Sequence, residues 1–278
     1  MTVENCAVME RIQGDSYISL SDTMSKINHR LYRMTRKYYV DVKLHNPDVV
    51  GVNCDVFVLN NTWMLEKAVK YARTAYEKAV KEEKKLLGKQ LARWHDFRLN
   101  LDPSDAQSAL NFTQLNPTLY NMDTGNPAAL SAGDFQVSVA RDEDTNTGYQ
   151  FGLWESGTQF NILKEYEKSG STEDSPDDIE TSAPYDAIDD EAQTTTFVEL
   201  QQQGNEPPYN KDNMNDTTLF RHVGTLFADT NGNQKLSTGT FCAPLGLVVI
   251  RPTGSEFPIV CVHMKKGKYK GLASEAMA

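Results

Sequence analysis

The sequence from Tyr38 to Leu59, YYVDVKLHNPDVVGVNCDVFVL, contains two runs in which apolar and polar side chains alternate. Side chains two residues apart point to the same face of a strand, so each run predicts a β-strand with one buried face. In the second run, Phe57 and Leu59 add apolar side chains on the other face, which predicts a strand buried on both sides. Asn46-Pro47-Asp48 between the runs predicts a turn.

A long amphipathic helix is predicted directly after these strands, from about Trp63 to Leu87. Its apolar side chains recur at the three- and four-residue spacing of a single helical face. Thr62 is a suitable N-cap and Gly88 a suitable C-terminal stop. We expect the basic outer face of this helix to be solvated, with a partner surface as the alternative.

The string ARWHDFRL at residues 92–99 follows the helix and is dense in charged and aromatic side chains. Asp96 is placed to hold Arg93 or Arg98, so we interpret the string as a structural anchor for the end of the helix. The predicted anchor residues are Trp63, Arg93, Trp94, Asp96 and Arg98. His95 and Asp96 could form a catalytic pair instead, but the sequence indicates no third partner for them.

The whole chain contains about eight strand candidates, one long helix and long loops, without the strand–helix alternation of a parallel sheet. This pattern predicts a mainly β fold, an antiparallel sandwich of the jelly-roll kind. We expect an N-terminal arm over residues 1–24 and a single jelly-roll domain over residues 25–278. The domain should carry a helical insertion at 62–98, with its helix at about 63–87, and an acidic exposed loop at 161–193.

Charge is distributed unevenly along the chain, whose net charge is −10. Residues 165–191 hold eleven acidic side chains and one basic side chain, so the remainder is neutral overall. This acidic segment predicts a solvated loop, with weak binding of divalent cations as the alternative.

Cysteine and histidine are scattered, without the C-x-x-C or H-x-x-x-H spacings of common metal sites. We therefore expect reduced thiols, no metal site and no cofactor. No apolar run approaches the ~18 residues of a membrane span, so no membrane association is expected.

Sequence signatures of catalysis are missing as well. The chain has no G-x-S-x-G elbow, no phosphate-binding P-loop and no dinucleotide fingerprint. Residues 229–233 have the initial spacing of a calcium loop, but the glycine and glutamate that must follow are replaced. A hairpin turn at Asn231-Gly232 explains them better. We predict that the chain is not an enzyme.

Two groups of basic residues could contact a nucleic acid. The first group consists of Lys26, Arg30, Arg33, Arg36, Lys37 and Lys43. The second group consists of Lys265, Lys266, Lys268 and Lys270. Tyr32, Tyr38 and Tyr39 lie within the first group, which thus combines cations for phosphates with rings for bases. An ordinary sheet face, paired with acidic neighbours in the same or an adjacent subunit, is the alternative.

The order of several motifs resembles the capsid proteins of small environmental single-stranded DNA viruses whose circular genomes encode a replication initiator. The motifs are Lys26-Ile-Asn-His-Arg-Leu-Tyr-Arg33, Tyr39-Val-Asp-Val42, Asp55-Val-Phe-Val-Leu-Asn-Asn-Thr-Trp63, Ala92-Arg-Trp-His-Asp-Phe-Arg98, Pro244-Leu-Gly-Leu-Val-Val-Ile250 and Gly267-Lys-Tyr-Lys-Gly271. The two regions that contain them, residues 26–98 and 244–271, make up a little over a third of the chain.

The resemblance implies a single jelly roll, self-assembly of identical subunits into an icosahedral shell, a single-stranded DNA genome inside, and location in the virion. It implies no catalytic residues and identifies no host receptor. Such capsids often begin with a long basic arm, whereas Met1 to Asp22 contains one basic residue, Arg11. Genome contact would therefore depend on the two basic groups.

A different class of function is also compatible with the sequence, namely a β-sandwich binding module of the lectin-like or phage tail receptor-binding type. This alternative predicts a soluble monomer or trimer with an aromatic-lined groove around Tyr149 and Trp154. The oligomeric state distinguishes it from a capsid protein.

Overall fold

The architecture is that of a computed structural model, which describes residues 3–10, 12–45, 51–87, 96–101, 112–120, 127–129, 138–141, 148–154, 159–170, 219–229, 231–254 and 256–277. The described chain is mainly β, and most of its strands belong to antiparallel sheets that are compatible with a β-sandwich. This agrees with the predicted fold class at that level.

The described residues form eighteen strands, distributed along the chain, and three α-helices. The strands are β1 Cys6–Met9, β2 Ser16–Ser19, β3 Arg36–Leu44, β4 Val52–Leu59, β5 Thr113–Gln114, β6 Thr118–Tyr120, β7 Pro127–Ala129, β8 Val139–Arg141, β9 Gly148–Gly152, β10 Gln159–Asn161, β11 Phe220–Ala228, β12 Gln234–Lys235, β13 Phe241–Ala243, β14 Leu247–Pro252, β15 Val260–Met264, β16 Lys266–Gly267, β17 Gly271–Leu272 and β18 Ser274–Ala276. The helices are α1 Leu20–Asn28, α2 Trp63–Leu87 and α3 Ile162–Gly170.

The two largest sheets contain strands from both ends of the chain. The first sheet has the order β1-β15-β3-β13, with β18 also paired to β3. The second has the order β12-β11-β4-β14-β2-β5. Four antiparallel pairs, β1–β15, β2–β14, β3–β13 and β4–β11, join early strands to late strands. Two further antiparallel pairs, β15–β3 and β14–β4, connect these pairs into the sheets.

One face of each large sheet contributes to a shared hydrophobic core. Val42 of β3 and Val262 of β15 come from the first sheet, and Val56 of β4 and Ile250 of β14 come from the second. All four side chains are fully buried. Burying an aliphatic side chain of this size stabilises a fold by roughly 1.5–3 kcal/mol, so the alternating pattern of these strands holds the two sheets together.

Helix α2 covers the other face of the second sheet. Leu65 and Val69 of α2 belong to a second core cluster with Leu247 and Val249 of β14. The helix begins at a capped end, because the Leu65 backbone N–H donates to Thr62 Oγ1 at 3.2 Å. The second sheet is thus buried on both faces, as the pattern of β4 predicts. Within the described residues, no helix has the length and apolarity needed to cross a membrane.

The N-terminal segment differs from the predicted arm over residues 1–24. β1 pairs with β15 and β2 pairs with β14, so this segment belongs to both large sheets. Ala7, Met9 and Ile18 lie in the shared core, which gives the segment enough buried apolar surface to be ordered. The prediction was wrong because Cys6–Met9 is a short apolar run that pairs as a strand and buries alternate side chains, although polar residues surround it.

The predicted acidic loop at 161–193 is also wrong in its first part. Asn161 ends β10, and residues 162–170 form α3. Ile162 and Leu163 are buried in the second core cluster, and the Leu163 N–H donates to Asn161 Oδ1 at 2.9 Å. An N-cap followed by two apolar residues accounts for the helix. Residues 171–193 of the predicted loop lie outside the described residues.

Two antiparallel hairpins are present, and the second confirms the turn predicted at Asn231-Gly232. β8 pairs with β9 in antiparallel orientation on either side of the acidic segment 142–147. β11 pairs with β12 through the predicted turn, in which Gly232 has φ +81° and Asn231 Nδ2 donates to Asp229 Oδ2 at 3.0 Å. Glycine adopts that backbone conformation without a steric penalty, which explains its place in the turn.

Candidate nucleic-acid interface

The segment between α1 and β3 presents two arginines of the first basic group. Helix α1 ends at His29, whose φ of 49° reverses the chain, and the Tyr32 N–H then donates to Ser25 Oγ at 2.9 Å. The Arg33 carbonyl accepts from the buried Tyr38 hydroxyl at 2.6 Å. With its backbone held in this way, the segment leaves Arg30 and Arg33 exposed.

The β16–β17 hairpin brings the second basic group to the same place. Its turn contains Lys270 at φ 48° and Gly271 at φ 93°. The Tyr32 hydroxyl donates to the Lys270 carbonyl at 2.9 Å, and the Arg33 N–H donates to the Tyr269 hydroxyl at 3.2 Å. These two hydrogen bonds, each between a tyrosine hydroxyl and a backbone group, hold the hairpin against the segment that carries Arg30 and Arg33.

We call the residues that meet here the basic–aromatic cluster: Arg30, Tyr32, Arg33, Arg36, Tyr269 and Lys270. The guanidinium carbon of Arg36 lies 3.8 Å from the centroid of the Tyr269 ring, and Arg36 Nε donates to Ser274 Oγ at 2.8 Å. The Tyr32 and Tyr269 rings meet edge to face at 6.1 Å. Lys270 Nζ lies 5.9 Å from the first ring and 5.6 Å from the second. These cation–π contacts hold the two cations in fixed positions.

The basic–aromatic cluster carries an excess of positive charge. Burial lowers the pKa of the Lys270 ammonium, and the positive charges of Arg30, Arg33 and Arg36 lower this pKa further. Asp96 is the acidic residue that opposes them. Four cations that repel one another around one carboxylate form a site that an anion would stabilise.

Two of the predicted anchor residues, Asp96 and Arg98, contact residues of this cluster. Arg98 is 2% exposed and donates to Asp22 Oδ1, to Ser21 Oγ at 2.8 Å and to the Tyr32 carbonyl at 2.7 Å. Asp96 lies 3.8 Å from Arg98, so the predicted ion pair is present, although the hydrogen bonds of Arg98 go elsewhere. Arg98 thereby joins α1 to the backbone of the basic segment.

Asp96 also faces the cluster directly. Its Oδ1 lies 4.0 Å from Arg33 Nε. Burial raises the pKa of the Asp96 carboxyl, while the charges of Arg98 and Arg33 favour its ionised form. Asp96 is thus shared between the buried Arg98 and the exposed Arg33, and it neutralises the cluster only in part.

The structure separates the other predicted basic residues into two sets. Lys26 and Lys37 are buried, with the Lys26 ammonium bonded to Asn116 Oδ1 at 2.8 Å and the Lys37 ammonium bonded to Glu66. Lys43 lies 3.7 Å from Asp41. Lys37 and Lys43 have acidic partners, as the alternative interpretation of a paired sheet face expects, whereas Lys26 lies on helix α1 and its partner is a neutral amide. The exposed set consists of Lys265, Lys266 and Lys268.

The remaining anchor predictions have different outcomes. Trp63 is 63% exposed at the start of α2, so it does not anchor the helix by packing. The prediction was wrong because Leu65 and Val69 form the buried face of α2, and Trp63 is not part of that core cluster. Arg93 and Trp94 lie outside the described residues.

Among the described residues, Trp154 does not line the aromatic groove expected for a binding module. Trp154 is 2% exposed and stacks on Phe220 with the ring centroids 6.2 Å apart. Phe151 is also buried in the second core cluster. Trp154 and Phe151 pack in the core cluster that α2 shares with the second sheet, so their rings are not available to bind a ligand.

One group of potential metal ligands was not predicted from the spacing of residues in the sequence. Cys6, Cys261 and His263 place their sulfur and nitrogen atoms within 4.8 Å of one another. Cys261 and His263 are two residues apart on β15 and share a face, and β1 brings Cys6 opposite His263. The C-x-H spacing on a predicted strand was a usable signal, but its partner strand could not be identified from the sequence.

The arrangement of the basic–aromatic cluster can bind phosphate groups through its exposed cations, while its rings are already in contact with one another and with Arg36. It therefore fits a nucleic-acid backbone better than a set of unstacked bases. No protein-family model, curated protein or solved structure matches the chain significantly.

Proposed function

We propose that this chain is a viral capsid protein, a single jelly roll that self-assembles into an icosahedral shell around a single-stranded DNA genome. The observation that carries the proposal is the pairing of eight strands in the two large sheets. In chain order, the first of these strands pairs with the eighth, the second with the seventh, the third with the sixth and the fourth with the fifth.

This pairing arises when the first four strands run antiparallel to the last four as a two-stranded ribbon, which then folds. Wrapping such a ribbon around a core places alternate pairs in opposite sheets, which matches the orders β1-β15-β3-β13 and β11-β4-β14-β2 within the two sheets. Eight strands in two such sheets define a jelly roll, an architecture that capsid and lectin domains share. The strand topology thus supports the proposed jelly-roll fold, and the sequence motifs support the proposed capsid function.

The long connection between β4 and β11 fits the proposed role of a helical insertion at 62–98. Helix α2 and helix α3 both belong to this connection and pack over the second sheet. Their outer surface includes Trp63 and Tyr71, which are 63% and 59% exposed. Large exposed aromatic side chains are typical of surfaces that become buried between subunits, so we assign this surface to contacts between copies of the chain.

In the proposed shell, the basic–aromatic cluster faces the genome. Its cations, with Lys265, Lys266 and Lys268 on the adjacent hairpin, would supply positive charge for the phosphates of the genome.

The test of the proposal is the assembly state of the purified recombinant protein at neutral pH and moderate salt. We expect uniform closed shells by light scattering and negative-stain electron microscopy, with assembly favoured by single-stranded DNA. A monomer or small ring that persists when single-stranded DNA is added would overturn the capsid assignment and favour the binding-module alternative.

A further inference from the structure

We propose that Cys6, Cys261 and His263 form a binding site for a soft transition-metal ion, with Zn²⁺ as the ion of choice. The three side chains lie on β1 and β15, on the face of the first sheet that points away from the shared core. The site is separate from the basic–aromatic cluster, and nothing in the proposed capsid function requires it.

The geometry of the two strands produces this site. Cys6 is opposite His263 in the register of β1 and β15, and Cys261 is two residues before His263 on the same strand. Their ligand atoms lie within 4.8 Å of one another, and Cys6 Sγ is 3.8 Å from His263 Nε2. Ligands of a tetrahedral zinc, at ~2.3 Å for sulfur and ~2.0–2.1 Å for nitrogen, are roughly 3.3–3.8 Å apart. Small rotations of the side chains therefore suffice to hold the ion.

The donor set determines the class of ion. Two thiolates and one imidazole favour soft or borderline ions such as Zn²⁺ over Mg²⁺ and Ca²⁺, which prefer oxygen. Cys261 is buried, while Cys6 and His263 are half-buried, so an ion can enter from the surface. Three protein ligands leave the fourth position of a tetrahedral ion for water.

The neighbouring strand places opposite charges beside the site. On β3, Asp41 is opposite His263 and Lys43 is opposite Cys261. Lys43 lies 3.7 Å from Asp41, so part of its charge is neutralised locally. Asp41 also accepts a hydrogen bond from Ser237 Oγ at 2.7 Å, which holds the carboxylate near the imidazole side of the site.

A disulfide between Cys6 and Cys261 is the competing arrangement of the same atoms. The two residues form a diagonal pair across antiparallel strands, for which the Cα atoms are typically ~7–8 Å apart. A disulfide needs a Cα separation of about 4.4–6.8 Å, so it would require movement of a strand. Metal binding requires rotation of side chains only, and the geometry therefore favours the metal.

The site has a structural consequence, because β1 is the edge strand of the first sheet. An ion bound by Cys6 of β1 and by two residues of β15 would cross-link this edge strand to its neighbour in the sheet. Ligands that bind only the folded state stabilise it by mass action, so Zn²⁺ should raise the melting temperature of the protein.

The test uses the full chain, reduced and freed of metal, and titrated with Co²⁺ and then Zn²⁺. We expect one ion per chain, the sulfur-to-cobalt charge-transfer absorption of a tetrahedral thiolate site, and a higher melting temperature with Zn²⁺. Cys6→Ser and His263→Gln should each weaken binding by roughly a hundredfold or more, since even outer-shell changes cost 10–100-fold. Cys242→Ser on β13 of the same sheet, outside the site, should bind as the wild type does.

Two results would overturn the proposal. The first is absence of the thiolate–cobalt absorption in the reduced protein, or its unchanged presence in both site variants. The second is formation of a Cys6–Cys261 disulfide in mild oxidant with no metal binding after reduction. Because these measurements do not depend on shell formation, failure of the metal site and failure of the capsid assignment are distinguishable.

Discussion

The guanidinium of Arg36 lies over the ring of Tyr269, 3.8 Å from the centroid, although the two residues are at opposite ends of the chain. Arg36 belongs to β3, and Tyr269 belongs to the hairpin between β16 and β17. The contact therefore joins the two basic groups into one surface. Arg36 also donates to Ser274 Oγ, so its guanidinium is held at two points between the two basic groups.

The exposed Arg33 should contribute to binding of single-stranded DNA. We expect Arg33→Ala to weaken binding to a similar extent for oligonucleotides of different sequence, because phosphate contacts carry no sequence information. The slope of log affinity against log salt should fall by about 0.7 for the lost contact. Fluorescence anisotropy with labelled oligonucleotides at several salt concentrations measures both quantities.

Lys43→Ala provides the matched control for this measurement. Lys43 belongs to the same predicted basic group, but it lies 3.7 Å from Asp41, near the opposite end of β3 from Arg36. We expect its removal to leave the affinity and the salt slope close to those of the wild type. Equal losses in both variants would show that general charge, not the basic–aromatic cluster, controls binding.

The buried Arg98 should be a major determinant of stability. Arg98→Met keeps much of the side-chain volume but leaves the Asp22 carboxylate and the Tyr32 carbonyl without their donor. Removing one partner of a buried ion pair typically costs about 3–5 kcal/mol in the free energy of unfolding. Urea denaturation of the two proteins measures this difference.

Arg73→Met tests whether that loss is specific to burial. Arg73 pairs with Glu77 one turn along α2, and the two side chains are 22% and 59% exposed, against 2% for Arg98. An i,i+4 pair on a helix contributes about 0.3–0.5 kcal/mol, so the control should lose much less stability than Arg98→Met. A comparable loss in the two variants would contradict the role assigned to Arg98.

The main elements of the sandwich could be predicted because their patterns are local. The alternation in β3 and β4 and the helical spacing of α2 each indicate a buried face. Helix α2 begins and ends at the predicted residues Trp63 and Leu87. The exposure of Trp63 was not predictable from residue type, because an aromatic residue beside a helix start can face either way.

The candidate site could be predicted only in part, for a topological reason. Both basic groups were recognisable in the sequence, but the contact of Arg36 with Tyr269 depends on β3 pairing with the C-terminal strands. The loss of Lys26 and Lys37 from the site depends on partners at Asn116 and Glu66. Pairings over such separations are properties of the whole fold, and local composition does not contain them.

The hydrogen bond between Tyr39 and Glu275 should make the docking of β18 sensitive to alkaline pH. The Tyr39 hydroxyl donates to Glu275 Oε1 at 2.6 Å, and this bond raises the pKa of Tyr39 to about 12, above its ordinary value near 10. A raised pKa in the folded state means that the stabilisation is complete below pH 10 and is lost as the pH rises through about 12.

The measurement is the difference in unfolding free energy between wild type and Tyr39→Phe as a function of pH. We expect this difference to be constant up to about pH 10 and to shrink toward pH 12, because the phenylalanine variant lacks the titrating hydroxyl. Glu275→Gln removes the charge that disfavours the phenolate, so the wild-type pH dependence should flatten in that variant. A difference that does not change between pH 10 and pH 12 would contradict this assignment.

The exposed Trp63 should affect assembly without affecting the fold of the subunit. Its side chain is 63% exposed, so Trp63→Ala removes little buried surface and should change the free energy of unfolding by about 0.5 kcal/mol or less. Tryptophan is frequently a dominant contributor when it is buried between subunits, with losses of 2 kcal/mol or more on truncation. We therefore expect the protein concentration needed for shell formation to rise roughly tenfold or more, as measured by light scattering.

The control for Trp63 is Lys78→Ala, a second exposed position on α2. It removes a solvated side chain from the same helix and should leave the concentration for assembly unchanged, since scattered surface lysines contribute little to subunit contacts. If Trp63→Ala assembles as the wild type does, the outer surface of α2 is not a subunit interface. The contacts of the proposed shell would then have to come from other surfaces, and the exposed indole would have no role in assembly.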